Sequence, residues 1–173
     1  AQDIGSLTVE MFCRGSLADV TFRTEQYQEA SQHLKRAVEI ARIQDSPRSI
    51  VNYENRLGRI AEAQGNHPYA LRHHYEALAL VRDEVVLFDR IQTAWFIAQN
   101  FMHMQLHDAA TRIVAFLNVQ ELTEHMNNPD AASIRNQWRN LSDHLSAEEV
   151  ARIEAQRDAE TWATLFAYLD DVN

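Results

Sequence analysis

The chain is predicted to be all-α, an α–α superhelix of about three helix pairs closed by C-terminal capping helices. Three observations predict it. Four glycines and three prolines in 173 residues leave few turn signals, while Ala, Leu, Glu, Gln and Arg, all good helix formers, dominate. Apolar residues recur three and four apart along most of the length, the period of a helix with one buried stripe. Matching residues return at a fixed offset of forty across three copies, the mark of a repeat whose units bury their faces against one another. Hydrophobic residues make up 46%, enough to build the core of one compact domain or one short solenoid.

Taken in order, residues 1–5 read as a frayed lead-in, and Leu7, Met11, Leu17, Val20 and Phe22 lie on a helix that reaches about Arg23, weakened by Gly15. Thr24 is expected to cap a second helix with Tyr27, Ala30, Leu34, Ala37, Val38 and Ala41 inward. Asp45-Ser46-Pro47 stops it, because proline disfavours helix at the residue before it. A third helix, about Arg48 to Gln64, buries Ile50, Tyr53, Leu57, Ile60 and Ala61, and Gly65-Asn66 supplies its left-handed closure. Pro68 fits the first turn of a fourth, which runs to about Arg82 with Ala70, Leu71, His74, Ala77, Leu78 and Val81 inward. Val85 to Met104 is the most apolar stretch: Phe88, Ile91, Ala94, Trp95, Ala98, Phe101 and Met102 cover more than half of the circumference, which marks a central helix. Asp108 opens a helix through Ile113, Val114, Leu117 and Leu122 that stops at Asn127-Asn128-Pro129-Asp130. Asp130 is expected to cap the next, carrying Ile134, Trp138, Leu141 and Leu145. Ser146-Ala147-Glu148-Glu149 is a capping-box pattern. The last segment continues through Val150, Ile153, Trp162, Leu165, Phe166 and Leu169, with a break near Arg157-Asp158. The whole is expected to form one domain, with repeats at about 6–45, 46–84 and 85–127 and a helical cap at 130–173.

The offset of forty aligns Ala30, Ala70 and Ala110; Leu17, Leu57 and Ile97; Ala18, Gly58 and Ala98; Tyr27, His67 and His107; and Ala37, Ala77 and Leu117. Small residues recur where two helices must approach closely, with large ones filling the gaps. Leu57-Gly58, Gly65, Ala70 and Ala77 resemble the signature of the tetratricopeptide repeat superfamily, and the first and third copies match in part. The chain departs from that pattern in its period of forty rather than thirty-four, in lacking the early Trp and mid-helix Tyr, and in having no Pro to close the second and third units. A second resemblance spans roughly residues 108–170. Leu145-Ser146-Ala147-Glu148-Glu149-Val150-Ala151 is similar to the ending of long-period arrays in bacterial multidomain regulators that carry an ATPase module upstream. Glu154 and Arg157-Asp158 stand there where that family has a Trp and a Gly-Arg. A chain that starts at Ala1 without Met is expected to be an excerpt of a longer protein, and removal of the initiator Met from a complete chain would give the same start.

The resemblance implies a concave groove lined by the first helix of each unit. Its positions are Phe12, Asp19, Phe22 and Arg23; then Asn52, Asn55, Arg59 and Glu62; then Gln92, Trp95, Gln99, Met102 and His103. Asn and Arg there would hold a peptide carboxylate or backbone, and Trp95 with Met102 an apolar side chain. The competing reading makes the charges a solvated face and Trp95 a core residue, since aromatics at helical spacing are usually buried.

Reactive chemistry finds little support. His103 and His107 lie four apart beside Asp108, but the pair crosses a helix end and no third ligand is fixed. His73 and His74 point in different directions around a helix, so at most one faces any given site. The phosphate loop, Gly-x-Ser-x-Gly and His-Glu-x-x-His patterns do not occur. Cys13 beside Arg14 reads as a small buried hydrophobe. No catalytic residue, metal or cofactor is expected.

Lys plus Arg number 16 against 25 Asp plus Glu, a net charge of −9 that repels a phosphate backbone, so direct nucleic-acid binding is not expected. A single cysteine suits a reducing compartment, and with no apolar run long enough for a membrane span the expected location is the cytoplasm. The expected function is recognition of a protein or peptide in the groove, as a sensor or scaffold in a bacterial regulator. Two alternatives remain open: a homo-oligomerisation module using the apolar third unit or the Trp162-Phe166 face, and an all-α receptor or enzyme with Asn55, Arg59, Glu62 and Gln99 around an enclosed pocket.

Overall fold

The computed structural model describes residues 4–81, 87–118, 129–143 and 145–172. Among these, every regular element is a helix: α1 Ile4–Arg23, α2 Tyr27–Ile43, α3 Pro47–Ala63, α4 His67–Val81, α5 Leu87–His103, α6 His107–Leu117, α7 Pro129–Ser142, α8 Ala147–Ala159 and α9 Trp162–Val172. The all-α prediction holds. The expected positions Arg82, Val85, Leu122, Asn127 and Asn128 lie outside the described residues. The chain divides into two compact units, Ala1–Val85 and Val86–Asn173.

In the first unit α1 packs on α2, α2 on α3 and α3 on α4. Its core joins Leu7, Met11 and Ala18 of α1 to Leu34, Ala37, Val38, Ile40 and Ala41 of α2 and Ile50, Tyr53, Leu57 and Ile60 of α3. The stripes predicted for α2, α3 and α4 are buried, with Tyr27 packed at the margin. The first helix differs from expectation. It begins at Ile4, and Leu17 and Val20 are exposed, because α1 carries apolar residues on two sides and α2 covers one of them. Cys13, expected to be buried, is exposed for the same reason.

Four helix ends share one closure. The N–H groups of Gln26, Ser46, Asn66 and Leu106 reach back to the carbonyls of Thr21, Ala41, Ala61 and Phe101 at 2.8 to 3.0 Å. Those of Glu25, Asp45, Gly65 and Gln105 bond to Phe22, Arg42, Glu62 and Met102. This double bond pattern satisfies the last carbonyls of a helix and needs one left-handed residue. That residue is Glu25, Asp45, Gly65 and Gln105 in turn, with φ of 59°, 48°, 72° and 63°. Thr24 is therefore not a cap for α2. Its hydroxyl donates back to Val20 and Thr21, and Gln26 precedes α2 without a side-chain cap.

In the second unit α5 packs on α6, and α6 on α7 and α8. Ile91, Thr93, Ala94, Trp95, Phe96, Ile97, Ala98, Asn100 and Phe101 are buried, so α5 is covered on most of its sides, but the helix on which the others of this unit pack is α6 and not α5 as its composition predicts. Asp108 lies in the first turn of α6, and Leu106 precedes that helix without a side-chain cap. Asp130 falls inside α7, which starts at Pro129. The capping box forms as predicted: Ser146 Oγ accepts from the Glu149 N–H, and the Ser146 N–H donates to Glu149 Oε2 at 2.8 Å. The break before the last helix lies at Glu160-Thr161 rather than Arg157-Asp158, because Thr161 Oγ1 accepts from the Thr164 N–H and starts α9. Arg112 of α6 holds the Glu160 carboxylate with two bonds of 2.7 and 3.0 Å and stacks on Tyr168. Trp162 sits edge-on to Phe116, 5.0 Å between centroids.

Candidate functional site

A cleft of about 480 Å³ runs between α1 and α3 of the first unit, lined by Phe12, Gly15, Ser16, Asp19, Arg48, Ser49, Asn52, Tyr53 and Arg56. Arg56 fixes its floor. Its guanidinium donates to the Gly15 carbonyl at 2.6 Å and to Asp19 Oδ1 at 2.5 Å, and lies over the Tyr53 ring. Gly15, read from sequence as a weak point in α1, is where that ring reaches the helix: a Cβ there would sit 3.0 Å from Tyr53 Cε1. Burial pushes the Tyr53 hydroxyl above its ordinary pKa, so the phenol stays neutral and keeps its proton for hydrogen bonding.

Of the residues singled out from sequence, Phe12, Asp19 and Asn52 line this cleft. Arg23 and Arg59 are exposed elsewhere on the two helices, and Phe22 is half-buried against Tyr27 at 5.7 Å. Asn55, expected to turn outward, is 3% exposed and bonded to His74. Gln92, Gln99 and Met102 are half-buried on α5, His103 is exposed at its end, and Trp95 is buried in the core of the second unit. Sequence reading missed Arg48, Ser49, Tyr53 and Arg56. For Arg48, Ser49 and Arg56 the signal was present, since residues three and four from Asn52 share its helix face, whereas Tyr53 was assigned to the core.

A polar network centred on the buried Glu54 and Asn55 of α3 ties that helix to its neighbours. Arg42 of α2 donates to Glu54 Oε1 at 3.1 Å and to Glu76 at 3.0 Å, and His73 Nδ1 lies 2.7 Å from Glu54 Oε2. Burial raises the Glu54 carboxyl, but the hydrogen bonds from His73 and Arg42 outweigh it and hold the group below the ordinary carboxylate range. A charged Glu54 accepts, so Nδ1 of His73 carries the proton, and Nε2 of that ring is buried with no partner. His74 lies between Asn55 Oδ1 and Glu62 Oε1, each 3.0 Å away. Burial pushes its pKa below the usual imidazole value. Both histidines thus face α3, each with its own partners, and both are structural. The two rings meet different partners, so no single site holds both of them. Among the described residues no group of three or more His, Cys, Asp and Glu is placed to hold a metal ion.

The tetratricopeptide repeat family matches residues 10–83, which take in most of α1, all of α2 to α4 and the residues that line the cleft. The match supports that superfamily for this part of the chain, and with it a role in protein–protein interaction. No curated protein matches the chain significantly.

Proposed function

We propose that the first unit binds a segment of a partner protein in the cleft between α1 and α3. The observation that carries the reading is the lining itself. Arg48, Ser49 and Asn52 offer donors one helical turn apart for a peptide backbone or carboxylate, opposite the exposed ring of Phe12. Arg56, already bonded to α1, sets the spacing of the walls and makes the cleft preformed, which lowers the ordering cost of binding.

The forty-residue unit is part of this proposal. The left-handed closures at Glu25, Gly65 and Gln105 and the helix starts at Tyr27, His67 and His107 keep that spacing, which supports a third copy beyond the matched residues. We also place the module in a cytoplasmic bacterial regulator. The resemblance of Leu145 to Ala151 supports it, as does the fact that no described helix is long and apolar enough to cross a membrane.

Selection of a random displayed-peptide library on the 173-residue chain, followed by calorimetry of the enriched peptides, tests the groove. Arg48→Ala and Asn52→Ala are expected to weaken binding about tenfold each, the cost of one charge-assisted or buried hydrogen bond. Enriched peptides whose affinity is unchanged by both substitutions would place binding elsewhere and refute the cleft.

A further inference from the structure

Four large apolar side chains stand on the open side of α1: Val9 is 63% exposed, Phe12 59%, Leu17 47% and Val20 60%. They share the side of the helix turned away from Leu7, Met11 and Ala18, which are buried against α2. Cys13 and Ser16, both exposed, lie between them. Soluble surfaces seldom gather such residues on one face without something to cover it.

Their order identifies the cover. Reading from the midpoint between Arg14 and Gly15, the face is symmetric: Cys13 mirrors Ser16, Phe12 mirrors Leu17 and Val9 mirrors Val20. Two copies of α1 laid antiparallel about a two-fold axis at that midpoint set each residue opposite its mirror. The smallest side chains then meet at the axis, where helices approach closest, with larger ones on either side. An isologous interface requires this self-complementarity. A parallel pairing fits poorly, since a heptad through Val9 and Phe12 continues through Ser16 and Asp19, which are polar.

Charge follows the same symmetry. The mirror positions Glu10 and Asp19 are both acidic, and each already carries an arginine from its own chain. Arg36 lies 3.0 Å from Glu10 and Arg56 lies 2.5 Å from Asp19. Nine residues apart, the two carboxylates border the face on its opposite edges, and each edge presents an ion pair instead of a bare carboxylate, which lessens the repulsion expected of a chain of net charge −9.

We propose that this face of α1 is a docking surface for a second copy of the chain, with the two α1 helices antiparallel and Val9 against the partner's Val20. Phe12 also borders the cleft, so the two readings share that side chain, whereas Val9, Leu17 and Val20 lie outside the cleft lining and carry this inference by themselves. A 20-residue helix is about 30 Å long, so the interface is at the small end of specific contacts and the dimer is reversible.

Sedimentation velocity of the full chain, from about 1 to 200 micromolar, reads the association directly. The wild type is expected to pass from monomer to dimer in that range. Val20→Glu and Val9→Lys, both at exposed positions and checked for folding by circular dichroism, are each expected to weaken it about tenfold or more. The double variant V9K/V20E is expected to recover most of the affinity, because antiparallel pairing sets Lys against Glu twice. A wild type that stays monomeric throughout overturns the proposal, as does a dimer indifferent to Val20→Glu. Loss in both single variants without recovery in the double one overturns the antiparallel register.

Discussion

Replacing Gly58 by alanine is the sharpest probe of how α3 and α4 fit. A Cβ at that position would lie 2.5 Å from Nε2 and 2.9 Å from Nδ1 of His74. Ordinary contact needs about 3.4 Å or more, so the ring must retreat by roughly 1 Å. His74 has no exposed surface and is held between Asn55 and Glu62. Overpacking costs about 1–3 kcal/mol, and straining a buried hydrogen bond about 1–3 more. Helix propensity returns about 1 kcal/mol on replacing a mid-helix glycine. The net expectation is a loss of about 1–5 kcal/mol, read as a lower midpoint in urea unfolding followed by far-ultraviolet circular dichroism. A double-mutant cycle isolates the cause: with His74→Ala already in place, Gly58→Ala should cost nothing and stabilise by up to about 1 kcal/mol. Unchanged or increased stability of the single variant Gly58→Ala would refute steric filling by His74.

Three further outcomes follow from the same packing. Gly65→Ala should destabilise by about 1 kcal/mol although no atom crowds the position, and Glu25→Gly or Gln105→Gly should stabilise by about 0.5–1 kcal/mol; thermal melts of all three decide whether the left-handed backbone is the cause. His74 is neutral in the fold while its unfolded form titrates near pH 6.5, so its contribution is complete above that pH and is lost as pH falls toward the depressed folded value. Urea titrations should therefore lose up to about 1.4 kcal/mol per pH unit below pH 6.5, a slope that His74→Gln abolishes. Arg112→Met should cost roughly 2–4 kcal/mol by leaving the buried Glu160 carboxylate unpaired, and Glu160→Gln in that background should restore part of it, measured by urea unfolding read from tryptophan emission.

Helix identity was legible in the sequence because apolar spacing and the few Pro and Gly residues act locally. The closures after α1, α2 and α5 were less legible, since Glu25, Asp45 and Gln105 occupy a conformation that normally announces itself with glycine. Gly58 was read correctly as a contact position, but what it admits is an imidazole ring and not the neighbouring backbone. The polar core under α3 was hidden for a related reason. Glu54 and Asn55 look like surface residues until His73, His74 and Arg42, twelve to nineteen positions away, supply their partners. The cleft was half visible: helical spacing from Asn52 leads to Arg56, whereas the bonds from Arg56 to α1 depend on tertiary placement.

The three tryptophans, Trp95, Trp138 and Trp162, all belong to the second unit, and the first unit carries tyrosine and phenylalanine but no tryptophan. The molecule is thus optically partitioned. Light at the red edge of tyrosine absorption excites one half of the chain, while far-ultraviolet ellipticity sums over both. Emission and ellipticity followed on one sample would report separately on the half that carries the cleft and the half that does not. A tryptophan carried by a partner peptide would add its signal to a half that is otherwise dark.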